Sequence, residues 1–190
     1  MRIRLKTILV AMLIVPPGSS LFPSRAISQT PNYEAPRLAD GKPDLNGIWQ
    51  SLNEANWNLE AHAASEAVRP EFGAQFAVPP GIGIVEGGEI PYLPAALAQR
   101  NQNFENRSML DPEVKCYLPG VPRATYMPYP FQIIQSQDTI LFSYEYAGAV
   151  RVVNMEAATE APADSWMGWS NGRWEGDTLV IDVSAQNDQT

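Results

Sequence analysis

Proline placement constrains this chain more than any other feature. Of its 17 prolines, five (Pro112, Pro119, Pro122, Pro128 and Pro130) fall between residues 111 and 130. Proline fixes φ and donates no backbone hydrogen bond, so no central strand or long helix can run through that stretch. It reads as a wrapped loop. Just after it the composition turns to Ile, Phe, Tyr and Val. Residues 131–136 and 139–146 read as strands joined by a Gln137-Asp138 turn, and 150–155 as a third strand after Ala147-Gly148-Ala149. Residues 165–170, 173–174 and 179–183 read as further short strands. Asn171-Gly172 is a type I′ hairpin signal, and Glu175-Gly176-Asp177 is another turn. Helix patterning is confined to the first half. Leu59, Ala63 and Ala67 recur at helical spacing over 56–68, and Pro94 suits the first turn of a helix over 94–107. That helix would turn Leu93, Leu97, Arg100 and Phe104 inward. The expected class is mainly β and antiparallel, with one or two short N-terminal helices.

Residues 1–28 read as a secretory signal peptide. Arg2, Arg4 and Lys6 precede an apolar stretch over 7–15, Pro16-Pro17-Gly18 breaks it, and Ala26-Ile27-Ser28 offers small residues for cleavage. The apolar stretch is too short to cross a bilayer, which takes about 20 residues. The expected location is periplasmic or secreted, with no membrane insertion after cleavage. Residues 29–46 then form an extended arm, and 47–190 a single β-rich domain. The formal charge is −8. Arg2, Arg4, Lys6 and Arg25 all precede Gln29 and no acid does, so loss of 28 residues takes it to −12. That sign argues against a nucleic-acid partner. Charged residues are 18% and hydrophobic ones 45% of the chain, which excludes a disordered polymer.

Cys116 and His62 are the only residues of their kinds. With one of each, a zinc site is not expected, and an internal disulfide is impossible. Neither a G-x-S-x-G elbow nor an Asp-rich calcium loop is present. The near-match Gly81-Ile82-Gly83-Ile84-Val85-Glu86-Gly87 follows Pro79-Pro80 instead of a strand and lacks the third glycine of a dinucleotide loop. No cofactor is implied. His62 reads as a surface helix residue and Cys116 as structural.

The phrases PRLADGKPDLNGIWQ, DPEVKCYLPGVPRATYMPYPFQI, LFSYEYAGAVR and GWSNGRWEGDTLVIDV run in order from Pro36 toward the end of the chain. They resemble a family of exported bacterial proteins of unknown function. The resemblance implies export and a β-rich domain with further strands after Thr190, and no reaction. One departure is MEAATEAPAD, where the family carries an Asp-Gly turn and a Pro-containing pair. The tail 184–190 is polar, and the six or seven strands fall short of the eight or so of a small closed barrel; the domain therefore reads as truncated. Gly47-Ile48-Trp49 also resembles the Gly-x-Trp on the first strand of lipocalin-like barrels, which implies an incomplete barrel of that kind.

Trp49, Trp57, Trp166, Trp169 and Trp174 are a large aromatic stock, suited to a core or to a cavity wall. Arg123 and Tyr126 lie in the loop that enters the first long strand. With Tyr144, Glu145, Arg151 and Trp166 they form the candidate ligand-binding set; no catalytic residue is assigned. A three-residue loop at 147–149 would set Glu145 across from Arg151, a polar anchor pointing into the barrel. The expected partner is a small apolar or aromatic molecule. A carboxylate and tyrosine acid–base enzyme of isomerase or hydratase type, and an envelope structural protein, are the alternatives.

Overall fold

Alternating side chains on three successive strands build the core. In the computed structural model, which describes residues 34–67, 71 and 74–189, β2 (Phe131–Gln135), β3 (Thr139–Tyr144) and β4 (Val150–Asn154) form an antiparallel meander. Every second residue points inward: Phe131 and Ile133, then Ile140, Phe142 and Tyr144, then Arg151 and Val153. The register sets Ile140 opposite Val153, the two most deeply buried large side chains. Each stabilises the fold by about 1.5–3 kcal/mol relative to an exposed position.

The short strand β1 (Gly47–Trp49) pairs with β2 on one side, with Asn46 and Leu45 both bonded to Gln135 just beyond it. On the other side lie β5 (Trp169–Glu175) and β6 (Thr178–Ser184), in the order β1-β2-β3-β4-β5-β6. The expectation of a wholly antiparallel sheet is corrected at one step: β4 and β5 run parallel. The 155–168 connection between them exceeds the dozen or so residues a parallel crossover needs. The sheet is mixed and does not close; it has two edges, β1 and β6.

A second correction concerns Asn171-Gly172, which is no hairpin turn. Both residues lie inside β5, paired with Asp182 and Ile181. Gly172 sits directly beneath Met155 and Val153, so that a Cβ there would overlap the Met155 sulfur. The glycine serves close approach, not a positive φ. The real β5–β6 turn is Gly176-Asp177, with Gly176 at φ 62°.

The expected helix over 56–68 is also absent among its described residues. Its chain forms a loose antiparallel ribbon with the segment around 78–84, bonded at Leu59–Ile84, His62–Gly81 and Ser65–Val78. Gly81 and Gly83 permit it, because a Cβ at Gly83 would stand 2.6 Å from the Ala61 nitrogen. The later helix is present as α1 (Pro94–Glu105), with Pro94 in its first turn, but none of its residues is buried. Leu93, Leu97 and Phe104, expected to face inward, are exposed.

The proline-rich stretch is more ordered than a plain loop. After α2 (Arg107–Leu110), Pro112 opens a 3-10 turn (Pro112–Lys115), and Pro122 directly precedes α3 (Arg123–Tyr126). Proline is tolerated at helix starts because its missing N–H is unpaired there anyway. Ala124 on α3 closes over the inner sheet face, together with Met167 and the flanking Leu45, Leu118 and Val121. Upstream, residues 36–44 double back through Leu38–Lys42 and Asp44–Pro36 bonds, and Arg37 grips Asp177 of the β5–β6 turn with two hydrogen bonds. The expected signal peptide, 1–28, lies outside the described residues.

Candidate functional site

Helix α3 carries Arg123 and Tyr126 toward the 3-10 turn that Asp111 and Pro112 initiate. The Asp111 carboxylate accepts from the Glu113 N–H at 2.9 Å, which fixes both acids beside the Arg123 guanidinium. Arg123 Nη1 donates to Asp111 Oδ1 at 3.1 Å, and its Nε lies 2.8 Å from Glu113 Oε1. The latter contact has ion-pair distance but lies off the hydrogen-bond line, for Oε1 is sealed from solvent with no aligned donor. Burial works against the Arg123 charge, yet the two carboxylates outweigh it and the pKa is raised. This arginine is fully neutralised.

Tyrosines surround the clamp. Tyr146 follows β3 and stacks on Tyr129 at 5.0 Å. Burial first, then the bond to Glu113, pushes the Tyr146 phenol far above the ordinary tyrosine range. Burial likewise raises Tyr126, with Arg123 pulling it back and Glu113, Asp111 and Tyr92 adding to the rise. Both phenols stay protonated at neutral pH.

Tyr92 leads to a cleft of about 330 Å³, lined by Glu60, Glu89, Ile90, Pro91, Tyr92 and Leu97. The ribbon supplies Glu60, and the first turn region of α1 supplies Leu97. Glu60 Oε1 accepts from the Ile90 N–H at 2.8 Å, while Oε2 lies 3.7 Å from Arg100. Glu60 is therefore held in place on the cleft wall. Its carbonyl lies 3.0 Å from His62 Nδ1, and His62 Nε2 is buried without a partner. His62 is thus packed into the ribbon, contrary to the surface-helix expectation.

The remaining sequence candidates scatter. Tyr144 is buried on the inner sheet face and shares a 3.0 Å hydrogen bond with the Thr125 hydroxyl of α3. Arg151 is also on that face, donating from Nε to Ser170 Oγ at 2.9 Å. The expected Glu145–Arg151 pair does not form. Tyr144 N–H bonds the Ala149 carbonyl, so the β3–β4 loop spans 145–148, four residues instead of the three expected. Phe142, two residues inside the strand, stands opposite Arg151. Glu145 is exposed, its N–H bonded to Pro130. Trp166 packs its ring against Tyr117 at 4.5 Å.

The sequence does not single out Asp111, Glu113, Tyr92 or Glu89, and it offers Glu60 only as a hydrogen-bond partner for His62, a role its backbone carbonyl fills. Asp111 and Glu113 had a signal, since DPE lies a short way upstream of RATY within one phrase. The cleft glutamates had none; a folded ribbon brings them together. Among the described residues no group of three or more His, Cys, Asp or Glu could hold a metal, and no helix is long and apolar enough to cross a membrane. No family model, curated protein or solved structure matches this chain.

Proposed function

We propose that this is an exported protein that binds a small apolar or aromatic molecule, and that the ligand lodges in the cleft beside Tyr92. The observation that carries the reading is the cleft itself. Its volume of about 330 Å³ lies at the lower end of the usual range for ligand pockets, roughly 300–1,000 Å³. Ile90, Pro91, Leu97 and the Tyr92 ring supply apolar contact, and two carboxylates at the wall orient any hydrogen-bond donor the ligand carries. The acid–base reading has less support: the carboxylates beside the phenols are engaged by Arg123. For the fold, a sheet order that follows chain order supports the lipocalin-like comparison, whereas the parallel β4–β5 pair departs from it.

Calorimetric titration with p-cresol and indole tests the binding reading. At least one should bind, and Leu97→Asp should weaken it about tenfold, equivalent to ~1.4 kcal/mol. Silence of both probes, or equal binding to Leu97→Asp, overturns it. Export has its own readout. Periplasmic material should begin near Gln29, and recovery of intact Met1 from the cytoplasm sinks that part of the proposal.

A further inference from the structure

Two arginines in this fold live in opposite circumstances. Arg123 has two carboxylates within 3.1 Å. Arg151 is more deeply buried, with only 9% of its surface open, and none of the ion pairs among the described residues includes it. Its Nε donates to Ser170 Oγ, itself 2% exposed. The Tyr144 hydroxyl also acts on it. The Phe142 ring lies 5.7 Å from its guanidinium carbon. A neutral serine and a phenol carry no charge to balance the guanidinium, and a largely buried cation gains from an anionic partner. Sequence spacing suggested Glu145 as counter-ion, and the register removes it.

The polar groups around Arg151 converge. Thr125 bonds the Tyr144 hydroxyl, so Thr125, Tyr144, Arg151 and Ser170 link α3, β3, β4 and β5 in one polar patch inside an apolar surround of Phe131, Phe142, Val153 and Met167. Neither Nη of Arg151 is a sealed atom without a partner. Each Nη is thus either bonded or open to solvent, and a guanidinium fork that reaches solvent offers two parallel N–H donors, the match for a carboxylate.

We infer that Arg151, with Ser170 and Tyr144, forms an anion site on the inner sheet face that takes the carboxylate of a small molecule with an apolar body. The site is separate from the Tyr92 cleft and does not rest on it; the p-cresol and indole titrations read the cleft, and the titration below reads this site.

The experiment is calorimetric titration of the full chain with sodium benzoate, with benzyl alcohol as the neutral control. Benzoate should bind the wild-type chain and benzyl alcohol should not. Arg151→Met should abolish binding, and Arg151→Lys should weaken it about tenfold or more, because an ammonium keeps the charge but loses the fork. Benzoate should raise the melting temperature of the wild type alone. In anion-free buffer Arg151→Met should melt at or above the wild-type temperature, since it removes a buried charge that nothing else neutralises. Benzoate failing to bind the wild type overturns the assignment, as does benzyl alcohol binding equally well or either variant retaining full affinity. Binding of inorganic phosphate with benzoate silent overturns the carboxylate specificity. Should Arg151→Met fail to fold, Arg151→Lys still decides the matter.

Discussion

Arg123 is a residue whose surroundings make its loss readable. Removing it leaves Asp111 and Glu113 side by side, both half-buried, with their shared cation gone. The cost lies between that of an exposed pair, about 0–1 kcal/mol, and that of a broken buried one, about 3–5 kcal/mol. Arg123→Met should therefore destabilise the chain by about 1–3 kcal/mol in urea unfolding, and adding Glu113→Gln should recover part of the loss. The neighbouring phenols give a pH signature. The folded-state pKa of Tyr146 is raised, so the native state holds that proton more tightly than the unfolded chain does. The resulting stability is complete below the unfolded value of about 10 and disappears as pH rises from there through the folded value. Wild type should thus lose stability above about pH 10 more steeply than Tyr146→Phe, with melting temperature against pH as the measurement. Equal slopes would mean that neither burial nor Glu113 raises the Tyr146 pKa in the folded chain.

At the scale of elements, β2 to β4 were legible because alternation marks a strand whose two faces differ, and 131–135, 139–144 and 150–154 carry it. Strand β5 was not. Asn171-Gly172 carries turn chemistry, and local chemistry was overruled by a neighbour: Met155 and Val153 pack where a Gly172 side chain would be. Asn171 is engaged as well, bonding both backbone groups of Thr159 and so tying down the 155–168 connection. Gly172→Ala should destabilise the chain by about 1–3 kcal/mol through overpacking, and Met155→Ala in the same chain should relieve part of that. A hairpin turn at 171–172 would gain nothing from a shorter Met155, so absence of rescue argues for the turn. The 56–68 helix pattern failed for a related reason. Leu59, Ala63 and Ala67 have the spacing, but the segment finds backbone partners around Gly81 and Gly83, some twenty residues on, and tertiary pairing outweighs a weak propensity.

For the whole molecule, the open sheet has one covered face and one bare one. Ile134, Leu141 and Val152 form a cross-strand row on the outer face, flanked by Ile48 and Val150. Ile48, Ile134, Val150 and Val152 are exposed. Contiguous apolar surface of this sort promotes dye binding and self-association. Ile134→Thr with Val152→Thr keeps β-branched side chains on the pleat and should leave stability within about 0.5 kcal/mol for each site. Binding of a hydrophobic dye should fall. Unchanged dye binding would locate the sticky surface elsewhere, with exposed Leu93, Phe104 and Met109 around α1 as the next region to alter.

What the sequence determined by itself is local. Strand-type residues named the three central strands, Pro94 marked the start of α1, and Gly176-Asp177 marked a real turn, whereas the 3-10 turn and α3 lay inside a stretch that reads only as a loop. These signals depend on φ, ψ and side-chain direction within a few residues, and nothing distant has to agree with them. The site was decided by the tertiary structure alone. Arg123 and Arg151 look alike in the sequence, and folding assigned two carboxylates to one and none to the other. Glu145 and Arg151 would have paired across a three-residue loop. The Tyr144–Ala149 bond makes that loop 145–148, one residue longer, and the register then sets Arg151 inward opposite Phe142 and leaves Glu145 in solvent. In a strand with a repeat of two, such small differences in loop length choose the face each side chain takes, and hydrogen bonds between distant segments set that length.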